Sequence, residues 1–114
     1  MLRVMMKSKI HGATVTEANL RYTGSITIDR DLLKAADMMP FERVQIVNLN
    51  NGTRVETYIL EGAAGSGTIC MNGAAAHLIK EGEEIIIMGF ELTDAPVEPK
   101  MILVDKNNKF IQYL

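Results

Sequence analysis

An Asn-Gly pair, Asn51-Gly52, stands between two runs in which apolar and polar residues alternate. Arg43 to Leu49 carries Val44, Ile46 and, less cleanly, Val47 with Leu49, and Thr53 to Leu60 returns on the far side. Asn-Gly accepts the positive φ angles of a tight reversal, so these runs predict a β-hairpin. The same rhythm of short β-like runs and turn signals recurs along the chain. Leu2 to Ile10, Ala13 to Leu20 with its β-branched Thr14, Val15 and Thr16, Ile26 to Ile28, Glu84 to Leu92 and Met101 to Val104 all read as strands. Lys109 to Leu114 reads as a weak last strand or tail, while Gly62 to Gly67 and Ala95 to Pro99 read as loops.

Two segments break the pattern. Asp29 is placed to cap a helix through Leu32, Leu33 and Ala36 toward Met39, with Pro40 ending it. Asn72 is placed to cap a second, from Gly73 to Lys80, with Gly82 as its C′ residue. With no βαβ rhythm and no repeat, the residues predict one domain, 1–114, mainly β: a small barrel or sandwich with two short helices.

Composition narrows the function classes. A chain of 114 residues buries roughly two-thirds of its unfolded surface, so subunit association is a reasonable expectation. Twelve basic against 14 acidic residues, net −2, argue against a nucleic-acid partner, which rewards clustered positive charge. Cys70 is the only cysteine, so no internal disulfide forms, and its place in Thr-Ile-Cys-Met reads as a small buried hydrophobe in a strand. No stretch approaches the ~20 apolar residues of a membrane span, and the start lacks a signal-peptide core. The expected compartment is the cytoplasm. His11 and His77 lack metal-ligand spacing, and neither a phosphate loop nor a dinucleotide motif is present. From the residues alone, Gly24-Ser25 is a common turn pair, and so is Gly65-Ser66.

Four segments in order carry a sharper reading: Lys9-Ile10-His11, Arg21 to Asp29 around Tyr22-Thr23-Gly24-Ser25, Asn51 to Tyr58, and Asn72-Gly73-Ala74-Ala75-Ala76-His77. Together they resemble the bacterial aspartate 1-decarboxylases of the pantothenate pathway, from Arg3 to about Phe90. The resemblance implies a double-psi β-barrel assembled as a homotetramer. It also implies a proenzyme that cuts itself between Gly24 and Ser25, leaving a β chain, 1–24, and an α chain, 25–114, that begins with a pyruvoyl group. The substrate would be L-aspartate and the product β-alanine, with no metal and no pyridoxal phosphate. The resemblance also leaves room for an accessory maturation factor as a partner.

The chemistry explains why such a group is needed. Losing CO2 from an α-amino acid leaves a carbanion, which requires an electron sink. A ketone conjugated to an amide serves once the substrate amine forms an imine with it, and Ser25 is its source. The hydroxyl attacks the preceding carbonyl to give an ester, elimination leaves dehydroalanine, and hydrolysis yields pyruvoyl and ammonia. Glycine before the serine removes an obstructing Cβ.

The family positions extend to other residues. Thr57 and Asn72 match residues that support cleavage, Thr57 by polarising the Gly24 carbonyl, and Thr57 is also a substrate-binding position. Arg54 matches a carboxylate-binding position, suited by its planar fork, though beside an Asn-Gly turn it also reads as a solvated arginine. Lys9 and, more distantly, His11 would favour a dianionic substrate. Gly73, Ala74 and Ala75 would offer backbone N–H groups and space, and Tyr58 would return a proton to Cα. Tyr22 would pack or hydrogen-bond beside the cleavage site. In a regular strand Arg54 and Tyr58 face one way and Thr57 the other, so a common site needs a bulge, a strand end or a neighbouring subunit. Two rivals stand: Lys9 as a Schiff-base lysine in an uncleaved enzyme, and a non-enzymatic barrel that binds a small anion or a protein.

Overall fold

A computed structural model describes residues 1–114. Nine strands and one α-helix follow the turn signals: β1 Arg3–Thr14, β2 Glu17–Asn19, β3 Ser25–Asp29, α1 Arg30–Ala36, β4 Arg43–Asn48, β5 Arg54–Gly62, β6 Ile69–Asn72, β7 Glu84–Thr93, β8 Lys100–Val104 and β9 Phe110–Tyr113. They form one sheet in the order β2-β6-β3-β5-β4-β7-β1-β8-β9. Parallel pairs (β1 with β8, β3 with β5, β2 with β6) are interleaved with antiparallel ones.

Strand β5 joins the two halves. Its first residues, Arg54 to Tyr58, pair with β4, and Ile59 to Gly62 pair with β3. The sheet closes because β2 continues β1 after only Val15 and Thr16, whose amides bond to Glu83 O and Ile69 O at 2.9 and 2.8 Å. The interior is mostly isoleucine: Ile10, Ile26, Ile28, Ile46, Ile59, Ile69, Ile85 and Ile87 are all fully buried. β-Branched side chains suit a pleated, two-sided sheet of this kind.

The hairpin forms at Asn51-Gly52, with Gly52 at φ +73°. Strand β1 is longer than predicted, because Gly12 at φ +82° sits at a register shift and lets pairing continue to Thr14. The predicted strand from Ala13 to Leu20 is accordingly split between the end of β1 and the short β2.

Helix α1 begins as predicted, with the Asp29 carboxylate accepting from Asp31 N at 2.8 Å. It stops at Ala36 rather than Met39, because Asp37 turns left-handed (φ 57°) and Met38 N returns to Leu33 O. Both are features of a Schellman closure, which ends the helix before Pro40 is reached. Asp29 also accepts from Gly65 N and Gly67 N at 3.0 and 2.8 Å, so one carboxylate anchors the helix and the glycine-rich loop.

The second predicted helix is the larger correction. Gly73 to His77 is a single 3-10 turn, and Asn72 makes no capping bond to it. The left-handed φ of +78° at Gly73 does not suit the first turn of an α-helix, and the Asn72 side chain is engaged elsewhere. Gly82 is then not a helix terminus; its amide bonds to Val15 O.

Candidate active site

Strands β3 and β6 lie antiparallel, with Ser25 matched to Asn72 and Thr27 to Cys70. Residues two apart on a strand share a face, so these four side chains form one array. Asn72 donates from Nδ2 to Ser25 Oγ at 2.9 Å and to Thr27 Oγ1 at 3.2 Å. Cys70 Sγ donates to Asn72 Oδ1 at 3.2 Å. Ser25, Cys70 and Asn72 are all buried. Burial, and then the Glu17 carboxylate, push the Cys70 thiol above its ordinary pKa, so it is protonated near neutral pH and can donate. The sequence reading of Cys70 as buried holds, but its thiol is part of a polar network.

The peptide before Ser25 is held by close backbone contact. A Cβ on Gly73 would lie 2.7 Å from Gly24 Cα and 3.1 Å from Tyr22 O, so only glycine allows the 3-10 turn to pack there. Gly24 is exposed, and a Cβ on it would meet nothing within 4 Å. The Tyr22 ring is half exposed, so its contribution beside Gly24 is made by its backbone.

Strand β5 supplies the neighbours on the other side. The parallel register starts at Ile26 with Ile59, which leaves Ser25 and Tyr58 one residue before it, and Gly24 and Thr57 two before it. Ile26 and Ile59 point into the core, so Ser25 and Tyr58 share the opposite face, and Thr57 sides with Ile59. The opposition of Thr57 to Arg54 and Tyr58 expected from the sequence is therefore real. The Tyr58 ring stacks near Phe41, with centroids 6.4 Å apart.

The remaining residues are not brought to Ser25 within one chain. Lys9, Met88, Gln45 and Glu56 form one cross-strand row, and His11, Ile86, Val47 and Arg54 form the next. Each row spans three strand spacings, on the order of 14 Å. Arg54 Nη1 donates to Gln45 Oε1 at 3.0 Å. Lys9, His11, Arg54 and Tyr58 thus share the outer face of β1, β7, β4 and β5, with Val47, Ile86 and Met88 half-buried among them. A cleft of about 340 Å³ on this side is lined by Val4, Arg43, Gln45, Glu56 and Phe90 and does not include Ser25. No three His, Cys, Asp or Glu side chains converge as a metal site. No helix is long and apolar enough to cross a membrane.

Gly73, Ala74 and Ala75 follow Asn72 directly, Ala74 exposed and Ala75 half-buried. Gly65-Ser66 lies in an exposed turn where Ser66 Oγ donates to Ala63 O, with none of the array around it. Sequence reasoning missed the parts played by Thr27 and Cys70. The alternation Ser25, Thr27 against Cys70, Asn72 was the available signal, but it means nothing until β3 and β6 are known to pair.

Known proteins resemble this chain along nearly its whole length. The family model described as aspartate decarboxylase matches residues 1–111. A Desulfitobacterium hafniense aspartate 1-decarboxylase is 57% identical over 112 residues, covering 95% of this chain and 88% of that protein. The aspartate 1-decarboxylase of Bacillus subtilis is 54% identical, covering all of this chain and 93% of that one. Among solved structures, a rationally designed double-psi β-barrel matches with a TM-score of 0.54 at 12% identity, over 71% of this chain and 95% of its own, a likeness of fold alone. Matched along nearly its whole length, the chain belongs to the aspartate decarboxylase family.

Proposed function

We propose that this chain decarboxylates L-aspartate to β-alanine and CO2 for pantothenate and coenzyme A synthesis, after cutting itself between Gly24 and Ser25 to form a pyruvoyl group. The observation that carries the reading is the buried Ser25 hydroxyl held by Asn72 Nδ2 at 2.9 Å, directly after an exposed, unobstructed Gly24. The residues present fit that group: Ser25 is buried and held by Asn72, whereas Ser66 lies in an exposed turn, and Gly73 leaves room for the Gly24 backbone.

During cleavage, Ser25 Oγ attacks the Gly24 carbonyl carbon, the peptide C–N bond breaks, and an ester forms with the freed amine protonated. Loss of the Ser25 α-proton expels the Gly24 carboxylate and leaves dehydroalanine, to which water adds with release of ammonia. Asn72 opposes the charge that builds at Oγ, and Thr57 is assigned to the Gly24 carbonyl oxygen. The pyruvoyl group supplies the electron sink that ordinary side chains lack.

In decarboxylation, Tyr58 holds the proton for Cα, on the strand face that Ser25 shares. Arg54 is assigned to a substrate carboxylate, Lys9 and His11 to its net charge, and Gly73, Ala74 and Ala75 to its binding through backbone N–H groups. Lys9 and His11 are three strands from β5 and Ser25 lies beyond it, so they reach a Ser25 site from a neighbouring subunit of a homotetramer. The half-buried Val47, Ile86 and Met88 on that outer face support such an assembly. A cytoplasmic setting fits the single unpaired thiol.

Intact-mass analysis of purified protein, before and after a carbonyl-trapping reagent, tests the reading. The expected result is two chains divided after Gly24, with only the larger one trapped. An unbroken chain that decarboxylates aspartate would overturn it, and would favour Lys9 as the reacting group.

A further inference from the structure

Two members of the β3–β6 array have no part in the chemistry above: Thr27 and Cys70. Both touch Asn72. We propose that the Cys70 thiol and the Thr27 hydroxyl are positioning residues for self-cleavage, which hold the Asn72 carboxamide turned so that Nδ2 rather than Oδ1 meets Ser25 Oγ. The inference rests on the self-cleavage reading.

A carboxamide has a donor end and an acceptor end of nearly the same shape, so burial alone does not choose between its two orientations. The Ser25 hydroxyl donates to Thr23 O at 3.4 Å, which leaves its lone pairs to face Nδ2, while the Thr27 hydroxyl can donate or accept. The thiol fixes the amide from its other end. A protonated S–H gives its hydrogen to a carbonyl oxygen, whereas sulfur is a weak acceptor for an amide N–H. With Oδ1 held by Cys70, both Nδ2 hydrogens find acceptors, one on Ser25 Oγ and one on Thr27 Oγ1. All the polar atoms of a buried amide are then satisfied in one orientation only.

The orientation matters to the reaction. A donor at Oγ stabilises the charge that grows there as the hydroxyl proton leaves, and a carbonyl oxygen in its place would repel it. The thiol must be protonated to maintain it. Cys70 is flanked by β3, which offers Thr27, and by β2, where Glu17 is its matched residue and the ionisable group that faces it. Burial first, and that carboxylate second, keep the proton on sulfur. A thiolate would accept from Nδ2 and turn the amide over.

The test follows cleavage of freshly purified full-length precursor by intact mass, with thermal stability recorded for each variant. Cys70→Ala and Thr27→Val should cleave about tenfold more slowly, the loss expected of one buried hydrogen bond. Cys70→Ser keeps a donor of similar size and should stay within about threefold of the parent. The cleavage rate of the parent should fall at alkaline pH, above the ordinary thiol range, relative to Cys70→Ser, whose hydroxyl does not ionise there. Cleavage of Cys70→Ala at the parental rate, equal slowing of Cys70→Ser and Cys70→Ala, or the same pH profile with serine would each overturn the proposal. A parent chain that never cuts would instead overturn the self-cleavage reading, so the two failures are distinct.

Discussion

Asn72 Nδ2 lies 2.9 Å from Ser25 Oγ, across the matched pair that joins β6 to β3. One side chain thereby links the end of a strand to the bond that is proposed to break. Asn72→Ala should slow cleavage about tenfold or more, the loss of the buried hydrogen bond that holds the attacking Oγ. Asn72→Asp should be no better, because a carboxylate there accepts and cannot donate. A time course of intact mass checks both.

Gly73→Ala places a methyl 2.7 Å from Gly24 Cα on a residue at φ +78°. Backbone cannot yield as a flexible side chain would, so the change should cost about 1–3 kcal/mol and slow cleavage. Gly82→Ala is the control. It has a similar φ of +85° but open space around it, and should lose only about 1 kcal/mol with cleavage unchanged. Urea unfolding together with the mass assay separates the two effects.

Asp29→Ala would strand three backbone donors, those of Asp31, Gly65 and Gly67. The carboxylate is 1% exposed, so water cannot readily replace it. A loss of about 2–4 kcal/mol in urea unfolding is expected. Asp29→Asn should recover part of it, since its amide oxygen still accepts.

Tyr58→Phe should leave cleavage intact and lower decarboxylation by about 10²–10⁴, the range for loss of a positioned proton donor. Lys9→Ala should also cleave and lose activity. Tetramers reassembled from Tyr58→Phe and Lys9→Ala subunits should regain activity if a neighbour supplies Lys9, because one class of mixed site is then intact. Rates of β-alanine formation measure this; no recovery would assign both residues to one chain.

Alkaline stability tests the state of Cys70 apart from any chemistry. Its pKa is raised in the folded chain, so folding favours the protonated thiol. That contribution is fully present below the unfolded value of about 8.5 and is lost as pH climbs through the folded one. The melting temperature should therefore drop more steeply above about pH 8.5 for the parent than for Cys70→Ser.

Local chemistry made much of this molecule legible. Asn51-Gly52 marked its hairpin because Gly52 takes the left-handed φ of +73° that closes the loop between Asn48 and Thr53, and Asp29 specified the start of α1 because its carboxylate meets a helix N–H two residues on. The ordered motifs named the family, and with it Ser25 over its twin Ser66. What the sequence could not yield depended on partners distant in the chain. Asn72 reads as a helix cap until β6 pairs with β3, 47 residues away, and engages its side chain. Helix α1 was read past its end because a Schellman closure depends on Asp37 turning left-handed, which no residue type there required. Sequence periodicity placed Arg54 and Tyr58 on one face of β5, but only the cross-strand register put Lys9 and His11 on that same face and three strands away. Hairpins, caps and motifs are short-range and follow from residue identity; register between distant strands is fixed by the burial of Ile26, Ile59 and their neighbours in a shared core, which only the closed sheet decides.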